Sequence, residues 1–187
     1  MAVNPKEEDR KQGIDDTSGA GLQLLAFAEV LLLSLWLGSM VFFSFAVAPS
    51  AFAVLPTREL AGALVTSTIA KVEMLGLITG PLLLLLQAVN RHARRFSSHG
   101  TLRAGLILAM IATAALSHFW ISPTMVSLRA AMGGNIDDVP ANHPMRAHFN
   151  ELHQYSVALM GVAIVAGVLL LFLTVRSWLK SNRTPIV

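Results

Sequence analysis

Four long apolar runs, separated by short polar segments, organise this chain. Leu22–Ala48 contains one ionisable residue, Glu29; Met74–Val89 is uninterrupted; Ala104–Ile121 carries only His118; Tyr155–Val175 carries none. A helix that crosses a bilayer needs about 20 mostly apolar residues. The first and fourth runs suffice alone, and the third does with modest extension. The second is shorter, but the uncharged stretch Leu60–Ala70 precedes it. One long, tilted helix is expected there, interrupted chemically by Lys71 and Glu73. The pattern predicts an all-α protein, a four-helix transmembrane bundle with helices at about 22–48, 58–89, 103–122 and 146–176.

The punctuation agrees. "AVAPS" closes the first run with an A-x-A pattern, but that run far exceeds a 7–15-residue signal core and Pro49 would follow the cut. The run is therefore expected to stay as a membrane helix that Pro49 ends or bends. Thr57 is placed to cap helix 2, and Gly80–Pro81 predicts a kink within it. Past Pro123, Met125, Val126, Leu128 and Met132 suggest a short surface helix that Gly133–Gly134 would stop. Pro144 suits the first turn of helix 4. Gly38, Gly76, Gly80, Gly161 and Gly167 are the expected helix-packing positions. Residues 1–21 mix both charge signs with Gly, Ser and Pro, as a disordered cytoplasmic tail would. The transmembrane domain then covers 22–178, and 179–187 form a second short tail.

Composition adds weight without changing this picture. Of 187 residues, 54% are hydrophobic and 13% charged, with mean hydropathy +0.61, whereas a soluble domain is about a quarter charged. Charge supplies orientation. The segments before helix 1, between helices 2 and 3, and after helix 4 hold 10 of the 14 Lys and Arg. The other side has Arg58, Lys71, Arg129 and Arg146. The positive-inside rule puts both termini and the middle connection in the cytoplasm, with the protein in the inner (plasma) membrane. The pI of about 9.8 reflects this asymmetry, so the expected partner is the lipid bilayer, with a homo-oligomer or larger membrane complex as a further option, and not nucleic acid. The absence of cysteine excludes disulfides, thiolate metal sites and a lipoprotein anchor.

Candidate chemistry concentrates in "NHPMRAHFNELHQYSVALMG", residues 142–161, with His143, His148, Glu151 and His153. His153 is expected about one turn into helix 4, and His118 about one turn from the same end of helix 3. At a shared depth they could oppose each other across a haem b. With Glu73 they would make a His–His–carboxylate set for a divalent metal. His148 and His153 stand about 140° apart around a helix and cannot easily hold one ion together. No H-E-x-x-H motif occurs. A hydrogen-bonded interhelical or interfacial role for His118 and His153 is the favoured expectation, with no cofactor bound. Glu29 lies about two turns inside helix 1, where Gln87 or Arg103 could partner it. Glu29 and Lys71 are expected as buried, structural polar groups. Lys71 and Glu73, two apart, face different sides of their helix. With no cysteine, nucleophile motif or phosphate-cradling glycine loop, enzymatic activity is not expected.

"LWLGSMVFFSFAVAPSAFAVLPTRELAG", "LGLITG" in helix 2 and "LHQYS" in helix 4 resemble the transmembrane-protein-205-like family, over roughly Leu24–Val175. Trp36, Gly38, Phe42, Phe45, Pro49, Phe52, Leu55, Gly62 and the Leu152–His153 pair carry the resemblance; "AKVEM" departs from it. The resemblance implies a four-helix integral membrane protein and suggests transport, without a reaction, cofactor or catalytic residue. The expected function is a non-catalytic binding, assembly or transport-associated role. The alternative is a haem- or metal-binding membrane protein that uses the histidines in redox or copper handling.

Overall fold

The computed structural model describes residues 5–93, 100–133 and 136–181, and the described residues contain no strand. The first span consists of α1 (Pro5–Phe42), a π turn (Phe43–Val47) and α2 (Ala48–Val54). The second is α3 (Arg58–Ala93), continuous through Pro81. The third is α4 (Gly100–Leu116), a second π turn (Ser117–Ile121) and α5 (Ser122–Ala131). After a 3-10 turn (Ile136–Asp138), α6 (Pro144–Ser181) is the fourth. Among the described residues, four helices, Gln23–Val54, Arg58–Val89, Gly100–Ala131 and Pro144–Ser177, are long and apolar enough to cross a membrane.

The spans close a ring: α1 packs on α3 and α6, and α4 packs on α3 and α6. Its core joins Leu33, Trp36 and Met40 to Leu83, Ile107, Met110 and Leu170. Phe27, Phe119 and Phe172 are exposed on the ring. That is an inverted surface for water and an ordinary one for lipid, where polar backbone must be satisfied within each helix.

Gly76, Gly80 and Gly167 are the packing positions: a Cβ on Gly76 would meet the Trp36 ring, one on Gly80 would meet Ile111, and one on Gly167 would lie 3.1 Å from Leu37 and 3.2 Å from Met110. Gly38 and Gly161 are exposed, and among the described residues of this chain a Cβ on either finds nothing within 4 Å. Small residues permit close approach only when a neighbour stands on their face.

Three boundaries differ from expectation. Helix α1 begins at Pro5, within the segment expected as a disordered tail. Pro49 does not end the first span, and Pro123 does not separate a surface helix from the third. Each proline is the second residue after a π turn, where the i→i+5 pattern widens the backbone and relieves the clash of the ring with the preceding turn. The caps follow expectation. Leu60 N–H donates to Thr57 Oγ1 at 3.2 Å, Gly133 ends α5 at φ +80°, and Pro144 starts α6. The connection 94–99, residues 182–187 and Gly134 lie outside the described residues.

Candidate functional site

The contacts of Gly76 with Trp36, and of Gly167 with Leu37 and Met110, set the middle level of the bundle. Counted from there at about 1.5 Å per residue, Glu73 lies roughly 5 Å and His118 roughly 12 Å towards the end that carries the α2–α3 turn. Glu29 lies about 12 Å the opposite way, and His153 about 20 Å beyond the middle on the Glu73 side. His118 and His153 therefore do not share a depth. Their offset arises because α5 prolongs the third span well past Pro123 and α6 starts nine residues before His153.

Two buried polar clusters lie on either side of this middle. In the first, Glu29 pairs with Arg103, whose Nη2 also donates to Thr174 Oγ1 at 3.1 Å. Gln87 instead donates to the Gly100 carbonyl at 2.7 Å. In the second, buried Glu73 accepts from Ser117 and from Ser122 Oγ at 3.2 Å, and its Oε2 meets His118 Nδ1 at 3.2 Å. The π turn brings Ser117, His118 and Ser122 onto one carboxylate, giving a buried charge the partners it requires. Beside it is a cavity of about 30 Å³, bounded in part by Thr113, Ser117, Ser156 and Met160. That volume admits a water. Lys71, expected to be buried, is exposed. Its long stem lets the ammonium rise towards the membrane surface.

The histidines of residues 142–161 take three separate directions. His143 Nδ1 accepts from Met145 N–H at 3.3 Å at the start of α6. His148 faces Glu151 at 3.7 Å on the surface. His153 is exposed and lines a larger cavity that His118 does not reach. The trio His118, His153 and Glu73 is not assembled. Among the described residues, no group of three or more His, Cys, Asp or Glu is placed to hold a metal ion.

That larger cavity, about 740 Å³, opens on the Glu73 side between α2 and α3 on one wall and α5 and α6 on the other. It forms because, beyond the first π turn, α2 packs on α3 while α5 packs on α6. The deeper part is apolar, with Phe43, Val65, Ile69, Met160 and Ile164. The mouth is polar. Arg58 and Arg146 converge on Asp137 Oδ1 at 3.5 and 3.4 Å, and Arg146 Nη1 donates to the Val139 carbonyl at 2.5 Å. Half-buried Arg129 reaches from α5 to α3, donates to Thr66 Oγ1 at 3.3 Å, and lies 5.5 Å over the Phe149 ring. Ser122, Ser156 and Met160 connect this cavity to the Glu73 cluster.

A family model described as "Domain of unknown function (DUF4149)" matches residues 31–133, more than half of the chain. The chain belongs to that family. No curated protein and no solved structure matches it. The DUF4149 segment contributes three of the four helices around the cavity, α2, α3 and α5, with Arg129, and also the Glu73 cluster. The fourth helix, α6, and Glu29 lie outside the matched residues. Ser117, Ser122, Thr174 and Arg129 were not singled out by sequence reasoning. A serine beside His118 and another five residues on, all within an apolar helix, is the signal that could have found the Glu73 cluster.

Proposed function

We propose that this is a multi-pass inner-membrane protein with both termini in the cytoplasm, acting without catalysis in binding or transport. Its ligand is a membrane-partitioning amphiphile held in the cavity between α2–α3 and α5–α6. The observation that carries this reading is the polarity of one cavity of about 740 Å³: an apolar interior ending in a mouth where three arginines outnumber two carboxylates, Glu59 and Asp137. Its size is typical of pockets that enclose drug-sized ligands, about 300–1,000 Å³. The distribution of Lys and Arg supports the orientation, which turns the cavity to the outer half of the bilayer. The resemblance to the transmembrane-protein-205-like family, with its suggestion of transport, is consistent with this role.

Gly161 offers the test, because it lines the cavity and a Cβ there has open space around it. Wild-type protein is expected to retain about one amphiphile per chain through detergent exchange, measured by native mass spectrometry. Gly161→Phe is expected to lose it while remaining folded. Equal retention by both proteins would contradict the reading.

A further inference from the structure

We infer that the amphiphile is an anionic phospholipid of the bilayer, with its phosphate seated on Arg129. The inference rests on the cavity reading above and adds the identity of the headgroup. Of the three guanidinium groups at the mouth, those of Arg58 and Arg146 share Asp137. Arg129 makes no ion pair within 4 Å among the described residues; Glu59 attracts it only at longer range. Among the described residues, its hydrogen bond goes to the neutral Thr66 hydroxyl. Of five N–H donors in a planar fork, the rest remain for a ligand.

Half-burying a guanidinium without a carboxylate is costly. The Phe149 ring recovers part of that cost. Close approach is built in from α3 as well, since a Cβ on Gly62 would lie 2.8 Å from Arg129 Nη2. Any larger side chain at Gly62 would displace the arginine from this wall. A phosphate oxygen pair matches the fork in a bidentate, charge-assisted contact. Below it, Val65, Ile69, Met160 and Ile164 provide the surface an acyl chain requires. A free phosphate would leave that apolar interior unused, and a zwitterionic lipid would bring its own cation to the arginine.

The experiment uses full-length protein, exchanged into detergent and offered phosphatidylglycerol and phosphatidylcholine of identical chains. Retained lipid is counted by native mass spectrometry. Wild type is expected to prefer phosphatidylglycerol roughly tenfold, the scale of one charge-assisted hydrogen bond. Arg129→Gln should bring the ratio near unity while the total bound lipid is little changed. Arg129→Lys, which keeps the charge and loses the fork, should fall between. Millimolar inorganic phosphate should not displace the lipid. A preference unchanged in Arg129→Gln, a wild-type ratio near unity, or displacement by phosphate would each overturn the headgroup assignment. Should Arg129→Gln fail to fold, the wild-type ratio, the Arg129→Lys ratio and the phosphate arm still decide. Wild type that retains no lipid at all would refute the cavity reading itself, a different failure.

Discussion

Gly76 lies directly beneath the indole of Trp36, so closely that a Cβ added to it would stand 2.6 Å from the ring. Trp36 is 1% exposed and has nowhere to move. Gly76→Ala is therefore expected to destabilise the bundle by about 1–3 kcal/mol, the usual cost of overpacking a core. Gly38→Ala and Gly161→Ala, which meet open space, should stay within about 0.5 kcal/mol of wild type. Thermal unfolding in detergent compares them; equal losses at Gly38 and Gly76 would mean that α1 and α3 do not meet at this level.

The Glu29–Arg103 pair is buried, with side chains 5% and 10% exposed. Removing one partner strands the other charge, so Glu29→Leu or Arg103→Met is expected to cost about 3–5 kcal/mol. The double variant should recover much of that loss, because two apolar side chains need no partner there. A double-mutant cycle checks this, and simple additivity would show that the pair is not coupled.

Glu73 gathers Ser117, Ser122 and His118 from the third span. Glu73→Ala leaves these donors without their shared acceptor and should destabilise by about 1–3 kcal/mol. Ser117→Ala combined with Glu73→Ala should add little more, since the two act through one contact. Chemical unfolding of the single and double variants measures this, and a full additive loss would contradict the cluster.

The spans were legible in the sequence because an apolar run of sufficient length has one physical reading. The Glu29–Arg103 contact was legible too: a lone carboxylate about two turns inside a helix needs a partner at that depth, and Arg103 was one of two available. The expected His118–His153–Glu73 site was misplaced for a reason that lies in the backbone. Pro49 and Pro123 read as helix ends, yet each follows a π turn that accommodates it, and both spans run on. That extension carried His118 well inside the bundle and away from His153. The cavity was not legible at all, because it is a space between four elements whose lining residues are far apart in the chain. Arg129 appeared only as one more basic residue on the less basic side.

The chain contains no cysteine, so a single introduced thiol reports its own location. Ala141→Cys, in the exposed segment before α6, is expected to react with a membrane-impermeant maleimide added to intact cells. Labelling only after lysis would reverse the orientation and turn the cavity towards the cytoplasm.

The most direct measurement is an experimental density map of the protein in a lipid nanodisc containing phosphatidylglycerol. The cavity reading requires an elongated density between α2–α3 and α5–α6, passing Phe43, Ile69 and Met160 and ending against Arg129. A bundle in which α2 closes onto α6, with side chains filling that space and no lipid in it, would contradict the account.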